Sequence, residues 1–357
     1  MSLESFNNLD PYALHNNEKD ALLTKRLKEL TLHHYNNCIE YKKIINALNV
    51  DIDKIKCIVD VPFLPVRIFK EYELKSIENI AKTMTSSGTT GQKVSKIFVD
   101  ATTASNQQKA MIRIVSNFIG NKRLPMIILD SESVLKDRNM FSARGAGILG
   151  FSIFASKKIY AFDKDMNLNL DAIISFIDEH KKETIFLFGF TFMIWEYFYK
   201  RLLNTSNSKI DLTNAVLIHG GGWKKLENES VSREDFKKCL NNVCGINRVH
   251  DYYGMVEQTG CIYMECECGH LHASNYSDVI IRNHIDFSEC PIGSKGIIQV
   301  VSALPESYPG HSILTEDEGV ILGIDDCKCG RKGKYFEILG RIQNAEIRGC
   351  SDTFESK

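Results

Sequence analysis

Apolar residues recur at helical spacing over the first part of the chain. Leucines repeat at three- and four-residue intervals after Asn17, and isoleucines continue the pattern to about Leu48. Positions three and four apart share one face of a helix, so this pattern predicts two amphipathic helices. Pro62 and Pro65 follow, and because a proline keeps the preceding residue extended, they predict an extended segment after the helices.

Between residues 82 and 218, strand-like and helix-like segments alternate. A Ser/Thr/Gly-rich loop precedes a candidate strand that begins at Lys96. Short apolar runs predict buried strands at 125–129, 185–188 and 215–218, and helical spacing predicts helices near 103–119, 170–180 and 193–203. Alternating strands and helices are typical of an α/β domain with a largely parallel or mixed sheet.

The pattern changes after Tyr263. Short β-rich runs lie at 279–281, 296–301, 319–324 and 335–339, and Gly, Pro, Asp and Cys separate them. This spacing predicts a smaller all-β subdomain that packs on the α/β domain.

Composition excludes some classes of partner. The 357 residues include 44 basic and 45 acidic side chains, which gives a formal net charge of −1. Broad binding of nucleic acid or anionic membranes usually requires a basic excess, so neither is expected. The first residues lack a signal-peptide pattern, and the longest apolar run, 185–195, is about half the length of a membrane-spanning helix. We therefore expect a cytoplasmic protein without a membrane span.

The segment Thr85-Ser-Ser-Gly-Thr-Thr-Gly91 is the first candidate ligand site. Glycines let backbone N–H groups approach an anion closely, and the hydroxyl groups add donors, so the composition suits phosphate binding. It is not a P-loop of the GxxxxGK[ST] type, because no Lys-Ser or Lys-Thr follows a second glycine at the required spacing. A flexible surface loop is the alternative that this motif leaves open.

Two further motifs follow predicted strands. Ile218-His-Gly-Gly-Gly222 stands at the edge where ligands collect in α/β sheets, although its glycines also suit a simple sharp turn. In Asp251-Tyr-Tyr-Gly-Met-Val-Glu257, a carboxylate comes shortly after an aromatic–glycine turn. Such a carboxylate is suited to hold Mg²⁺ on a nucleotide's phosphates, and a solvated glutamate is the alternative.

Cysteine and histidine cluster in two tight segments, Cys266-Glu-Cys-Gly-His-Leu-His272 and Cys327-Lys-Cys-Gly-Arg331. Thiols and imidazoles in this arrangement are typical of tetrahedral zinc, and no position is reserved for water, so we predict a structural zinc ion. A zinc-free pair of thiol-rich turns is the alternative. The preferred ligands are Cys266, His272, Cys327 and Cys329, with Cys268 or His270 as substitutes.

Taken together, the order and spacing of these motifs resemble the adenylate-forming acyl ligases. SSGTTG, GGG and Tyr-Gly-Met-Val-Glu are followed by Thr315-Glu-Asp317 and Gly340-Arg341. Within that superfamily the chain most resembles the acyl-protein synthetases of bacterial luminescence, the long-chain-fatty-acid–luciferin-component ligase family. The likeness runs from about Val61 to Asp352, and it lies in VPFLPVRIFK, TSSGTTGQKVSK, HGGGWKKL, YYGMVEQTG, SYPGHSILTEDEGV, CKCGRKGK and LGRIQNAEIRGCSD.

The resemblance implies the α/β fold of an adenylate-forming ligase large domain, with mixed α/β subdomains and a small β-barrel-like subdomain. The C-terminal mobile domain of other members would be absent or reduced to a stub. We expect an N-terminal helical part of the large domain at 1–80, an α/β nucleotide-binding core at 81–262, a β-rich subdomain that zinc would stabilise at 263–340, and a truncated C-terminal tail at 341–357.

The resemblance also implies a reaction. ATP and Mg²⁺ would activate a carboxylic acid, a fatty acid by the family's name, as an acyl-adenylate, and the acyl group would pass to a protein thiol. Attack on the α-phosphate needs in-line positioning and charge neutralisation more than covalent help. In the implied site, Ser86, Ser87, Gly88, Thr89, Thr90 and Gly91 wrap the phosphates; Gly220, Gly221 and Gly222 flank the adenine; Tyr252, Tyr253, Gly254 and Met255 complete the nucleotide and acyl pocket; Glu257 holds Mg²⁺; Asp317 accepts the ribose hydroxyls; and Arg341 lies near the ribose and phosphate.

Two more catalytic residues are placed by the resemblance. The lysine that follows the phosphate loop in the superfamily has no counterpart at the common spacing, so Lys93 and Lys96 compete for it, and we predict Lys96. The family's C-terminal acyl-accepting cysteine corresponds to Cys350, where Arg348 would lower the thiol pKa. An incidental tail cysteine is the alternative.

Three questions stay open at this level. The acceptor is a protein thiol, on this chain or on a partner protein, or else coenzyme A, as in related acyl- and aryl-CoA ligases. From another class of function, the chain would be a zinc-stabilised nucleotide-binding scaffold without turnover. The aromatic residues of 186–198 would line an acyl tunnel or simply form a core.

Overall fold

The computed structural model describes residues 6, 8–86, 93–136, 143–204, 210–223 and 229–342. Its helices are α1 (Asn16–Asn37), α2 (Ile39–Ala47), α3 (Ile68–Glu71), α4 (Ala101–Ile119), α5 (Ser133–Lys136), α6 (Ala143–Phe151), α7 (Leu170–Glu179), α8 (Thr191–Met193), α9 (Lys200–Leu203) and α10 (Arg233–Cys244). A π-helical segment, Ile194–Tyr199, joins α8 to α9, and 3₁₀ turns lie at Ile52–Lys54, Ile58–Asp60, Ser152–Phe154 and Val256–Gln258.

The strands are β1 (Leu64–Pro65), β2 (Lys82–Thr85), β3 (Lys96–Val99), β4 (Leu124–Ser131), β5 (Ala155–Phe162), β6 (Ile185–Phe190), β7 (Ala215–Gly220), β8 (Arg248–Tyr253), β9 (Tyr263–Glu265), β10 (Leu271–His272), β11 (Ser277–Arg282), β12 (Lys295–Ser302), β13 (Ser312–Ile324) and β14 (Lys334–Arg341). Together with the helices, they confirm the predicted α/β class.

The described residues form two compact units. The first unit contains the residues up to Ser86, residues 93–118 and residues 254–342, and the second contains residues 119–253. The first unit is therefore discontinuous in sequence. This connectivity brings the N-terminal helices together with the β-rich segment that is most distant from them along the chain.

In the first unit, the strands pair in the order β11-β12-β13-β14-β10-β9, and all of these pairs are antiparallel. Strand β1 adds to β13 in parallel, and β2 and β3 form a separate antiparallel hairpin. Helix α1 contacts β12, and its leucines Leu23, Leu27 and Leu30 are buried. The predicted N-terminal amphipathic helices and the β-rich segment after Tyr263 are thus confirmed as elements.

A buried charge cluster also joins the two ends of this unit. Lys19 of α1 lies 3.5 Å from Asp278 of β11, and Lys334 of β14 lies 3.7 Å from the same carboxylate. Burial lowers the pKa of Lys19, and the Asp278 charge acts against that shift. Because a buried charge without a partner is costly, this cluster fixes how α1 meets the sheet.

In the second unit, five strands form a parallel sheet in the order β5-β4-β6-β7-β8. Its aromatic residues form a dense core, in which Phe186 and Phe188 are fully buried. The rings of Phe151 and Phe188 stack with centroids 4.1 Å apart. These contacts favour the core interpretation of the aromatic segment over the acyl tunnel.

Two details differ from the predicted elements. The helix expected at 193–203 is interrupted by the π-helical segment, which widens one turn. The strand expected at 319–324 begins earlier, at Ser312. Residues 316–318 are polar and interrupt the apolar pattern in the sequence, but antiparallel pairing continues through them. Among the described residues, no helix is long and apolar enough to cross a membrane; the cytoplasmic location stays a prediction.

Two buried histidines of the first unit stack on each other. The rings of His34 and His311 have centroids 5.0 Å apart, and the two side chains are 0% and 1% exposed. His34 Nδ1 lies 2.8 Å from Ser76 Oγ, and His311 Nε2 lies 3.0 Å from Thr31 Oγ1. Burial lowers the pKa of His311 to about 3 and holds the pKa of His34 well below its ordinary value.

This pair is expected to make the protein acid-sensitive. In the unfolded chain both histidines take up protons below a pKa of about 6.5, whereas the folded state keeps them neutral. The stability is therefore complete above pH 6.5 and is lost as the pH falls towards the folded pKa values. For His311 the loss is about 2 kcal/mol between pH 7 and pH 5, and His34 adds to it in the same direction. Urea unfolding at both pH values measures it. His311→Gln should reduce the loss, and the exposed control His284→Gln should not; equal losses in all three proteins would contradict the prediction.

Candidate active site and metal-ligand cluster

In the second unit, the glycine motif and the tyrosine motif lie side by side. Gly220 ends β7 and pairs in register with Tyr252, near the end of β8. A Cβ atom on Gly220 would lie 2.5 Å from Tyr252 Cε1, so no other residue fits there without displacing the ring. Gly221 follows with φ +80°, a conformation that glycine adopts without strain. The structure therefore brings together two of the predicted nucleotide-binding segments.

Gly220→Ala is expected to destabilise the protein by about 1–3 kcal/mol, because the methyl group overpacks against Tyr252. Gly222→Ala is the matched control, since no heavy atom lies within 4 Å of the position that its methyl group would take. Its effect on stability should stay within about 0.5 kcal/mol. Urea unfolding of both variants gives the comparison, and equal effects would mean that the tight approach of Tyr252 does not matter.

His219, just before the glycines, makes a structural hydrogen bond. Its Nδ1 lies 2.9 Å from Thr191 Oγ1, and that hydroxyl also donates to the Gly220 carbonyl at 3.3 Å. Burial, together with the Lys237 and Arg233 charges, lowers the pKa of His219 to about 3. The imidazole is therefore neutral, and it fixes the end of β7. The sequence contains no sign of Thr191 as its partner, because the two residues are 28 positions apart.

In the first unit, the predicted phosphate loop begins at a closed hairpin base. The Ser86 N–H donates to the Ser95 carbonyl at 3.1 Å, and the Ser95 N–H donates to Ser86 Oγ at 2.9 Å. The other predicted loop residues, Ser87, Gly88, Thr89, Thr90 and Gly91, lie outside the described residues, as does Cys350.

Both lysine candidates lie beside this hairpin. Lys96 begins β3, and its Nζ lies 3.1 Å from Glu73 Oε1. Lys93 Nζ lies 2.6 Å from Glu71 Oε2. Both lysines are at least half exposed and paired with a glutamate, so their surroundings do not distinguish them, and the assignment to Lys96 stays a prediction.

Glu257, the predicted magnesium ligand, lies in the 3₁₀ turn Val256–Gln258 and is only 2% exposed. The turn begins directly after Met255, whose backbone is extended, and Gly254 before it is exposed. A carboxylate buried to this degree is not the solvated glutamate that the sequence left as an alternative.

Asp317 and Arg341, the predicted ribose-binding residues, are brought together by strand register. They face each other on the antiparallel strands β13 and β14, and Arg341 Nε lies 3.7 Å from Asp317 Oδ1. The Asp317 N–H donates to Thr315 Oγ1 at 3.1 Å, which orders the Thr-Glu-Asp segment. An acid and a guanidinium side by side suit a ligand that carries both hydroxyl groups and phosphate.

The four preferred metal ligands converge in the first unit. Cys266, His272, Cys327 and Cys329 each offer a ligand atom, and these atoms all lie within 4.8 Å of one another. Cys266 Sγ lies 3.9 Å from Cys327 Sγ, and His272 Nε2 lies 3.4 Å from Cys329 Sγ. Of the two substitutes, Cys268 is exposed, whereas His270 Nδ1 lies 3.4 Å from Cys327 Sγ.

The two Cys-x-Cys-Gly segments form the same turn. The Gly269 N–H donates to the Cys266 carbonyl at 2.9 Å, and the Gly330 N–H donates to the Cys327 carbonyl at 3.0 Å. Both glycines have positive φ, +82° and +84°, which explains why glycine follows each cysteine pair. A local turn thus orients the cysteines of each segment, and the fold brings Cys266, His272, Cys327 and Cys329 together.

When no cation is bound, burial favours the neutral forms of the cysteine and histidine side chains in this cluster. It raises the pKa of Cys327 to about 11 and lowers the pKa of His272 to about 4. A divalent cation would reverse this balance for the thiols, since a coordinating thiol is deprotonated outright. Three thiols and one neutral imidazole are a donor set that zinc accepts.

Comparison with known proteins agrees with the motifs. The family model described as "Acyl-protein synthetase, LuxE" matches residues 5–357. A long-chain-fatty-acid–luciferin-component ligase from Vibrio harveyi is 21% identical over 349 residues, which cover 94% of this chain and 87% of the relative. A protein of the same name from Aliivibrio fischeri is 23% identical over 345 residues, which cover 94% and 88%.

Solved structures show the same fold. A 2-hydroxyisobutyryl-CoA ligase in the postadenylation state, in complex with 2-HIB-AMP, superposes with a TM-score of 0.69 at 14% identity over 92% of this chain and 69% of that chain. An open conformation of that ligase, in complex with 2-HIB-AMP and CoA, gives a TM-score of 0.66 at 14% identity over 94% and 80%. The predicted adenylate-forming ligase fold is confirmed. Because the family model matches nearly the whole chain, this protein belongs to the LuxE family of acyl-protein synthetases, as its motifs predict.

Proposed function

We propose that this protein uses ATP to convert a long-chain fatty acid into an acyl-adenylate and then passes the acyl group to a protein thiol. The observation that carries the proposal is the family match over residues 5–357. The choice of a long-chain fatty acid rests on the names of the Vibrio and Aliivibrio relatives. In the first step the acid's carboxylate oxygen attacks the α-phosphorus, and pyrophosphate leaves.

The nucleotide-binding residues keep the roles predicted from the motifs. Gly220 at the end of β7 lies beside Tyr252, and the backbone of the glycines there would lie against the adenine. Asp317 and Arg341 would contact the ribose and phosphate from neighbouring strands. The loop that begins at Ser86 would supply backbone N–H groups to the phosphates.

Magnesium is the proposed catalytic cation, and the residues present fit it. Oxygen donors are what Mg²⁺ prefers, and the Glu257 carboxylate is buried, where a bound cation would offset the cost of holding a charge away from water. Magnesium bound there would neutralise phosphate charge. The chain's own contribution is to hold Glu257 in a fixed turn and to keep water away from it.

Zinc is the proposed structural metal. Cys266, His272, Cys327 and Cys329 would hold it, and this ligand set leaves no open position for catalysis. A closed site would pin β9, β10 and the turn before β14 together within the first unit. Its role would be to stabilise that unit.

The second step has two candidate acceptors. Cys350 or a cysteine of a partner protein would attack the acyl carbonyl as a thiolate, forming a thioester while AMP leaves. Coenzyme A is the second candidate, because solved structures of the same fold belong to CoA ligases. Both acceptors are thiols, so the adenylation step that precedes the transfer is the same for both.

ATP–pyrophosphate exchange with a panel of fatty, aromatic and short-chain acids tests the first step. Exchange that depends on long-chain acids supports the proposal, and exchange with another class of acid corrects the substrate. ATP binding without exchange for any acid would favour a nucleotide-binding scaffold instead.

Radiolabelled acid tests the second step. Hydroxylamine-labile label on the protein that disappears in Cys350→Ser identifies Cys350 as the acceptor. Label that requires added CoA and leaves the protein unlabelled identifies a CoA ligase.

A further inference from the structure

The turn that carries Glu257 is anchored by the side chain that follows it. Gln258 is 1% exposed, and its Nε2 donates to the Val300 carbonyl at 3.2 Å and to the Gly310 carbonyl at 2.9 Å. Val300 belongs to β12, and Gly310 lies just before β13. Both neighbours are carbonyl acceptors, so the NH₂ group of the carboxamide must face them. One side chain therefore ties the turn to two separate elements.

The backbone of Glu257 is also tightly enclosed. A Cβ atom on Gly310 would lie 2.6 Å from the Glu257 carbonyl oxygen and 2.3 Å from Tyr308 Cε2. Tyr308 is fully buried, and its hydroxyl accepts a hydrogen bond from Gln107 Nε2 of α4 at 3.3 Å. Burial raises the pKa of Tyr308, and the charge of nearby Glu257 raises it further, so the phenol stays neutral beside the carboxylate.

We propose that Gln258 is the positioning residue for Glu257, and that it sets how tightly the site holds Mg²⁺ with ATP. The inference rests on the proposed function of Glu257. Residues that orient a metal ligand usually change metal affinity or activity about 10- to 100-fold when they are replaced. Gln258 is suited to this role because it directly follows Glu257 and its carboxamide NH₂ group is hydrogen-bonded to two backbone carbonyls.

Other side chains cannot replace this carboxamide. Methionine has a similar length but no donors, so it would leave the Val300 and Gly310 carbonyls without these bonds. Glutamate would place a carboxylate against two carbonyl oxygens. Asparagine keeps the amide but is one methylene shorter, so it cannot span both acceptors from the same backbone position. Each change would let the turn move, and the Glu257 carboxylate would then no longer be held in one orientation.

A second buried glutamine provides the matched control. Gln299 is 0% exposed, and it lies on β12 next to Val300. Its Nε2 donates to Ser312 Oγ at 3.0 Å, and its Oε1 accepts from Arg282 Nε at 2.6 Å. Gln299→Met therefore removes a comparable buried carboxamide from the same unit without touching the contacts of the Glu257 turn.

The test compares ATP binding with and without magnesium by calorimetry, in the full chain. Gln258→Met should lose the extra ATP affinity that Mg²⁺ confers, and the Mg²⁺ concentration for half-maximal exchange should rise about tenfold. ATP affinity in EDTA should be unchanged, and Gln299→Met should retain its magnesium dependence. Equal magnesium dependence in the two variants would overturn the proposal, because the carboxamide would then be structural only.

Two further variants keep the result interpretable. Gln258→Asn is milder and should shift the magnesium dependence in the same direction, so it replaces Gln258→Met if that variant does not fold. Glu257→Gln separates this inference from the proposed function. If Glu257→Gln retains its magnesium dependence, Glu257 is not the ligand and both ideas fail. If it loses that dependence while both Gln258 variants behave like Gln299→Met, only the positioning role fails.

Discussion

Replacing Glu257 with glutamine is expected to reduce magnesium-dependent ATP–pyrophosphate exchange by at least about a hundredfold. A metal ion contributes several kcal/mol of charge stabilisation in the transition state, and each 1.4 kcal/mol corresponds to about a tenfold change in rate. The amide keeps the size of the side chain but removes the charge that would bind the cation. The side chain is 2% exposed, so bulk water cannot substitute for its oxygens.

The control for this variant is Glu306→Gln. Glu306 is in the same unit and pairs with Arg26, but it has no predicted role in the site. Its replacement should leave exchange within about twofold of the parent, less than about 1 kcal/mol in the barrier, because Glu306 pairs with Arg26 and not with a residue predicted to bind the nucleotide. Exchange that is equally retained in Glu257→Gln would remove Glu257 from the proposed site.

The second large effect concerns the metal-ligand cluster. Purified protein is expected to contain about one zinc ion per chain, and Cys327→Ser should lose it. Apparent binding energies of structural zinc reach about 10–16 kcal/mol in small zinc-binding peptides, as much as the whole stability of many domains. We expect the melting temperature of Cys327→Ser to fall by about 10 °C or more, which corresponds to a loss of about 3 kcal/mol in a unit of this size.

Cys268→Ser is the matched control for the cluster. Cys268 lies in the same turn as Cys266, but it is exposed and outside the group of four converging ligands. This variant should keep both its zinc and its melting temperature. Loss of zinc from Cys268→Ser with retention in Cys327→Ser would reverse the ligand assignment. A stable, zinc-free parent protein would mean that the thiols form plain turns.

The parts of the fold that the sequence predicts are those with strong local signals. Buried strands such as β6 and β7 are nearly all apolar, and their predicted positions agree with the structure. The convergence of the four predicted metal ligands also depends on local signals, because each Cys-x-Cys-Gly segment forms its own turn. Zinc binding by these residues stays a prediction.

The missed elements lack such signals. Helix α6 contains three glycines in nine residues, and tertiary packing overrides their poor helix propensity. Strand β5 forms one edge of the parallel sheet, and most of its first half is exposed, so its apolar pattern is weak. The contacts of Gln258 also escape the sequence, because Val300 and Gly310 lie 42 and 52 positions away from it.

The discontinuous first unit has a consequence for how the protein is made. Lys19 of α1 donates to the Ser277 carbonyl, 258 positions later, and its counter-charge Asp278 follows immediately. At a synthesis rate of about 5–20 residues per second, the N-terminal helices leave the ribosome roughly 13–50 seconds before this partner exists. All strands of the parallel sheet are synthesised in that interval. The second unit is therefore completed before the first. Until then, the apolar face of the N-terminal helices and the unpaired Lys19 are exposed to non-native contacts.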